Sequence, residues 1–312
     1  MSSFTPVATA MTIESPDVPT PEPPNDFDAA VLALCPGFVA DGSPRVARKS
    51  ELLWGTIGDR TVIAKRAKKP NIVWDWYLEH EIAMYRAFAA HPPSVRTPQL
   101  IAAAPGLLVI ERIVGEPVAT KRRPDATLPI RMIGALIAAH DQFATYSAKV
   151  AVPLSPVRQM RERLLEDPSD PSWIRDGVRL CGRRGLLDEE LARNIDAALA
   201  NAPTAPNHGD LLLRNVIGDD EDDIVLVDWE CAGTHLRDWD LALLWTQLAG
   251  PGRGIVEDAV RESGARWRVF LGLCAFACAR EMRFLDAFPG GAVPRASVVA
   301  ELADVAKRFT QA

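Results

Sequence analysis

At Gly115 the hydrophobic pattern of this 312-residue chain changes period, and that break limits the folds open to it. Upstream, ELLWGTI and RTVIAKR flank the turn pair Gly58-Asp59, so residues 45 to 66 are predicted to form a β-hairpin. Pro70 closes the second strand. IVWDWYLEHEIAMYRAFAAH then has helical spacing, with no Gly or Pro until Pro92. GLLVIERIV, 106 to 114, is an apolar β-type run. The first part therefore reads strand, strand, helix, strand, a small sheet carrying one helix. Residues 115 to 129 are a polar, Pro-containing connection. Beyond it, Ile130 to Phe143 and about Asp188 to Ala200 read as helices, with LEDPSDPSW a breaker between them. HGDLLLRNVI and DDIVLVDWE read as two short strands around the acidic turn Asp219 to Asp223. Asp240 to Leu248, Ala265 to Ala287 and Pro294 to Phe309 read as closing helices. A small β-rich lobe followed by a larger, mostly helical lobe is an α+β, bilobal architecture with a cleft between.

Residues 1–25 are rich in Pro, Ser and Thr and lack periodicity, so they are expected to be a disordered tail. Residues 26–114 form the expected first lobe and 115–312 the second. The longest apolar run, Phe270 to Ala279, is too short to span a bilayer, so no membrane partner is expected. No basic stretch followed by an apolar one opens the chain, so no secretory signal is expected. Cys35, Cys181, Cys231, Cys274 and Cys278 are odd in number and contain no C-x-x-C, which argues against a zinc site or a disulfide framework. These features fit a cytoplasmic location. The net charge of −6 and the shortness of the basic clusters, Lys65 to Lys69 and Lys121 to Arg123, argue against a nucleic-acid partner.

Chemistry concentrates in HGDLLLRN, where His208, Asp210 and Asn215 interrupt a run of leucines. A carboxylate among core-forming residues needs a reason. Thirteen positions after Asn215, the run IVLV ends at Asp228. Two short strands paired through the acidic turn would bring these oxygen-bearing side chains to one end. An Asn carbonyl and an Asp carboxylate suit a hard cation such as Mg²⁺. Asp210 is then free to accept a proton or orient a hydroxyl nucleophile. In the first part, Lys65 ends the apolar strand TVIAK and needs an anionic partner. On the following helix Glu81 shares a face with Trp74, Tyr77, Met84, Tyr85 and Phe88, where a lone charge is costly. Glu79, near Asp75, Ala83 and Arg86, has an ordinary solvated setting. Glu81 is thus the expected partner of Lys65.

A strand Lys, a helix Glu, H-x-D-x-x-x-x-N and a later Asp are the parts of a phosphoryl-transfer site. HGDLLLRN, LVDWE and the DLA of 240 to 242, with VIAKR, HEIAMYRAF and LLVIERIVGEP before them, resemble the aminoglycoside phosphotransferase and choline kinase-like superfamily, over about residues 38 to 290. The resemblance implies a protein-kinase-like fold. It implies that Lys65 holds nucleotide phosphates and that Glu81 fixes Lys65. It makes Glu111 to Val114, with Glu111 and Ile113, a hinge offering backbone hydrogen bonds to the base. It makes Asp210 the catalytic base, Asn215 and Asp228 magnesium ligands, and His208 and Asp240 supports of the catalytic loop. No G-x-G-x-x-G is present; ADGSPRVARKS, 40 to 50, is the expected phosphate-covering turn, with Ser50 its candidate contact. Arg214 is expected to touch phosphate or solvent.

ATP or GTP and Mg²⁺ are the implied cofactors, and a small-molecule hydroxyl compound the implied acceptor. An aminoglycoside-type antibiotic and a metabolite (amino alcohol or sugar) are both open at this point. So is a nucleotide-binding pseudokinase, although an intact Asp210 would then have nothing to do. A protein kinase is not expected: only twelve positions separate Asp228 from Asp240, Trp-Glu follows Asp228 in place of Phe-Gly, and A-P-E is missing. Arg280 and Glu281 fall near the acceptor pocket on the resemblance, or form an ion pair. His80, His91, His140 and His235 have no metal-ligand spacing and are expected in core or surface roles.

Overall fold

The computed structural model describes residues 26–47, 49–68, 72–120, 128–148, 150, 167, 170, 172–218, 223–261, 263–287 and 294–312. The expected tail and most of the acidic turn lie outside those residues.

The first part holds helix α1 (Asp26–Leu34), strands β1 (Phe38–Ala40), β2 (Arg45–Val46), β3 (Ser50–Ile57) and β4 (Arg60–Ala67), helix α2 (Ile72–Ala90), and strands β5 (Leu100–Ala104) and β6 (Leu107–Glu111). The strands form one antiparallel sheet in the order β1-β3-β4-β6-β5, with β2 also against β3. The expected hairpin is β3-β4, with Ile57 opposite Arg60. Gly58 has φ +61 at the first of the two loop residues, where a hairpin turn of the II′ kind calls for glycine. In this part α1, β1 and the alanine-rich β5 lie outside the sequence reading, and the expected β structure from residue 45 includes the short β2.

The pleat of β4 and β6 decides what each face meets. Val62, Ala64, Leu107 and Val109 pack with Phe27 and Val31 of α1. Ala67, Leu108 and Ile110 point the other way, into a core containing Leu78, Ile82, Met84 and Tyr85 of α2. Lys65 alternates with Ala64, so it lies on the α2 face. The same helix is buried on more than one side: Val73, Trp76 and Tyr77 pack with Cys231, and the ring of Phe88 lies 4.9 Å from that of Trp229. A helix buried on two sides shows little amphipathic contrast, which explains why its sequence is apolar nearly all round.

The second part holds α3 (Ile130–Phe143), α4 (Trp173–Arg183), α5 (Glu189–Leu199), β7 (Thr204–Asn207), β8 (Val216–Ile217), β9 (Val225–Leu226), β10 (Gly233–Leu236), α6 (Trp239–Gln247), α7 (Pro251–Val260), α8 (Gly264–Ala287) and α9 (Arg295–Gln311). Small antiparallel pairs β8-β9 and β7-β10 sit among the helices. The apolar run in α8 is buried from Phe270 to Ala279, with Cys274 and Cys278 in the core. All five cysteines are free and buried. Among the described residues, no helix is long and apolar enough to cross a membrane.

Two expectations need correction. HGDLLLRNVI and DDIVLVDWE are not two full strands; only Val216–Ile217 and Val225–Leu226 pair. Leu211, Leu212 and Leu213 are all buried, at 2%, 1% and 0% exposure, which a strand alternating between core and solvent does not allow. The segment is instead a loop ending in a 3-10 turn at Leu213–Asn215. Glu79 is not a solvated surface carboxylate: its Oε1 accepts the backbone N–H of Gly106, at the turn between β5 and β6.

Phe88 links α2 to the helical part through Trp229, Phe143 and Tyr146. Phe88→Ala should lower the unfolding free energy by about 3–5 kcal/mol, the usual loss for a buried aromatic. Urea unfolding measures this; a loss below about 1 kcal/mol would show that the aromatic contacts do not hold α2 in place.

Candidate active site

The cleft between the sheet and the helices gathers charges from both sides. Lys65 Nζ lies 2.7 Å from Glu81 Oε2, 2.7 Å from Asp228 Oδ1 and 3.6 Å from Glu230 Oε2. The β4 pleat sends Lys65 towards α2, and α2 presents Glu81 to it, so that pair comes from local structure. Asp228 arrives from the helical part in an unusual way. It has φ +65, the only non-glycine positive φ among the described residues. A left-handed backbone at an Asp costs of order 1–3 kcal/mol and survives only where surrounding contacts hold it. Here it turns the chain from β9 into the 3-10 turn Trp229–Cys231 and leaves the carboxylate facing Lys65.

Burial and neighbours shift these groups in opposite directions. Burial pushes Glu81 up, to about 7; Lys65 opposes this, while Asp228 and Glu230 add to it. Asp228 is also penalised by burial, but Lys65 and Lys49 outweigh the penalty and hold it well below the usual carboxylate range. Lys65 loses solvation yet faces three carboxylates, so it stays protonated far above neutral pH.

Two members of this cluster were not singled out from the sequence. Glu230, two residues after Asp228, pairs with Lys49 from the turn between β2 and β3. The Lys49 ammonium also stands 4.9 Å from the Tyr77 ring centre and 5.7 Å from that of Trp74. Ser50, next in sequence, is the first residue of β3 and is buried, with its carbonyl accepting the Ala47 N–H. The only signal for Glu230 was its place in Asp-Trp-Glu; Lys49 carried none beyond lying in the expected phosphate-covering turn.

The HGDLLLRN loop is held from beneath. Asp240, two residues into α6, accepts the His208 N–H at 2.6 Å and the Gly209 N–H at 2.9 Å. Burial pushes its carboxyl up, to about 7, against those donors. Trp239 Nε1 donates to Gly209 O at 3.0 Å. Gly209 has φ +83, and a Cβ there would collide with the Cys231 carbonyl oxygen. His208 Nε2 donates to Val227 O at 2.9 Å, while its Nδ1 faces the Asp210 N–H at 3.4 Å. Burial lowers the pKa of that ring, in keeping with a neutral imidazole.

Asp210 is fixed in turn. Asn215 Nδ2 donates to its carbonyl at 2.8 Å and to its Oδ2 at 3.2 Å. Arg214 Nη2 donates to Oδ2 at 2.9 Å, and Arg280 Nη2 of α8 lies 3.9 Å from Oδ1. Asn215 O accepts the Val227 N–H at 3.0 Å, which places Asn215 beside the strand that delivers Asp228. Glu81, Asp228 and Glu230 offer carboxylate oxygens within 4.8 Å of one another. The Lys65 ammonium lies among these oxygens, of which Asp228's is the one next to the Asn215 loop; oxygen donors are what a hard divalent cation takes. Glu111 ends β6, between β4 and β5, with its N–H bonded to Gln99 O, and Arg112 N–H is bonded to Thr61 O. Ile113 follows, half-buried, where the chain leaves the sheet. Gly115, at φ +143, makes the crossing, and a Cβ there would press on Ile217 at 2.9 Å.

Against this geometry, a family model described as "Phosphotransferase enzyme family" matches residues 50–273. No curated protein matches the sequence. Among solved structures, the apoenzyme of macrolide 2'-phosphotransferase MphH from Brachybacterium faecium is 17% identical, covers 89% of this chain and 98% of its own, and has a TM-score of 0.57. The GDP and kanamycin complex of APH(2")-IIia is 13% identical, with 91% and 98% covered and a TM-score of 0.58. Plasmodium vivax ethanolamine kinase is 10% identical, with 86% and 81% covered and a TM-score of 0.52. At such identities the likeness is one of fold, a bilobal kinase-like fold shared across acceptors of different kinds.

His235 tests how the floor of the site is built. Its Nδ1 accepts from Trp173 Nε1 at 2.8 Å and its Nε2 donates to Cys231 O at 2.9 Å. Burial lowers its pKa to about 4. At pH 5.5, nitrogen NMR should therefore find this ring neutral with its proton on Nε2. A charged ring, or the other tautomer, would contradict the hydrogen bonding described.

Proposed function

The chain belongs to the phosphotransferase enzyme family, an enzyme acting on hydroxyl groups of small molecules, and from that premise we propose that it moves the terminal phosphoryl group of ATP or GTP to an alcohol acceptor at Asp210. The observation that carries this reading is Lys65 held 2.7 Å from both Glu81 and Asp228, beside a loop that immobilises Asp210 and Asn215.

In this reading, residues 26–114 bind the nucleotide and 115–312 supply the base and the acceptor pocket. Lys65 holds phosphate oxygens, and Glu81 keeps its ammonium aimed. The backbone at Glu111 and Ile113 faces the base, and Ser50 lies at the root of the covering turn. Asn215 and Asp228 would hold Mg²⁺, whose charge would offset that of the phosphates. Asp210 accepts the proton of the acceptor hydroxyl as its oxygen bonds to phosphorus and the bond to the β-phosphate oxygen breaks. His208 and Asp240 keep the loop at the required position. Catalysis is mainly placement and charge neutralisation. Buried free thiols fit a reducing, cytoplasmic setting.

The net charge of −6 favours a cationic acceptor such as an aminoglycoside. A second reading, a metabolite alcohol of lower positive charge, is favoured by a local observation. Arg214 and Arg280 place two guanidinium groups within 4 Å of the Asp210 carboxylate, where a polycation would be repelled. A pseudokinase role is not favoured, because Asp210 is ordered with three polar partners and would serve no purpose.

Asp210→Asn should lower turnover at least about a thousandfold with the best acceptor from an alcohol panel, while nucleotide affinity stays within about threefold. Coupled-assay kinetics and calorimetry measure the two. Retained turnover in this variant would remove Asp210 as the base, and nucleotide binding without turnover on any acceptor by the wild type would favour the pseudokinase.

A further inference from the structure

Lys49 is not explained by the reading so far. It lies at the tip of the β2-β3 hairpin, beside a buried carboxylate of the opposite lobe. Its side chain is 31% exposed, whereas that of Glu230 is 7% exposed. The Lys49 side chain therefore keeps solvent access while its ammonium is held by Glu230. Lys65 Nζ is 3.6 Å from the second oxygen of the same carboxylate. Glu230 thus bridges two ammonium groups, one from β4 and one from the hairpin turn above it.

Taking the kinase reading as its basis, we propose that Lys49 is a second phosphate-binding lysine, parked on Glu230 until a nucleotide triphosphate enters the cleft. The argument rests on charge and position. The cluster contains two ammonium groups, Lys49 and Lys65, against three carboxylates, Glu81, Asp228 and Glu230. Lys65 alone would leave two of the three negative charges unbalanced where phosphates must lie, and Lys49 lowers that surplus to one. A glycine-rich turn would meet phosphates with backbone N–H groups. This turn has no G-x-G-x-x-G and presents a side-chain cation instead. A carboxylate and a phosphate oxygen are interchangeable partners for an ammonium, so Lys49 changes partner without leaving the cleft. The rings of Trp74 and Tyr77 beside it restrict where the ammonium can go.

The test compares MgATP and adenosine binding by calorimetry for the full chain and for Lys49→Met and Lys49→Arg. Lys49→Met should weaken MgATP about tenfold or more and leave adenosine unchanged, and Lys49→Arg should restore most of the loss. Equal losses for MgATP and adenosine, or no loss for either, would overturn the proposal and leave Lys49 as a clasp between the lobes. A wild type that binds neither ligand would overturn the kinase reading and this proposal with it. Should Lys49→Met not fold, the wild type can be treated with an ATP acyl phosphate. In that reaction a nearby lysine amine takes the acyl group as an amide and releases ATP. Acylation of both Lys49 and Lys65, suppressed by excess ATP, supports the proposal; acylation of Lys65 alone overturns it.

Discussion

Lys65 is the charge around which the two halves of this protein are arranged. One ammonium, on a strand of the sheet, is shared by a carboxylate from α2 and a carboxylate from the helical part. Glu81, 2% exposed, would not be tolerated alone as a charge, and neither would the lysine at 11%. Each half therefore supplies what the other needs. The arrangement also sets the shape of the cleft, because Asp228 reaches Lys65 only by adopting a left-handed backbone. That strain is held by what lies on either side: β9 before it, and Trp229, packed on Phe88 and Phe143, after it.

The other side of the cleft works by removing freedom. Three buried leucines anchor the loop, Asp240 fills its backbone donors, and Asn215 and Arg214 hold the Asp210 side chain. In the proposed mechanism a carboxylate ordered in this way need not reorganise when an acceptor arrives, and that is the part of catalysis a rigid core would supply. The aromatic cluster of Trp173, Trp239 and Phe276 below the loop connects this rigidity to α8. The core thus sits directly beneath the Asp210 loop.

Much of this was legible from the residues. The β3-β4 hairpin followed from alternation around Gly58-Asp59, and α3 from its periodicity. Pairing of Lys65 with Glu81 followed from asking which carboxylate on α2 could not be solvated. Other elements were hidden for identifiable reasons. β5 reads LIAAA, its second half alanine, a poor strand former, and it is set as a strand by pairing with β6. α4 begins at Trp173 directly after a Pro-rich stretch that reads as a breaker. α7 carries Pro251 at its start with Gly252 and Gly254 inside, so it resembles a loop until packing is known. The two strands expected around Asp210 were overread, because buried leucines in a loop and in a strand have the same composition.

The sequence by itself determined the α+β division, the spacing of His208, Asp210, Asn215 and Asp228, and the need of a buried lysine for a partner. These follow from periodicity and from the cost of unpaired charge, both of which are local or one-sided rules. Only the tertiary structure decided that Lys49 and Glu230 join the cluster and that Arg214 and Arg280 face Asp210. Contacts between residues 181 positions apart, as Lys49 and Glu230 are, leave no period and no compositional mark. They come into being when two separately patterned halves are brought together over one cleft.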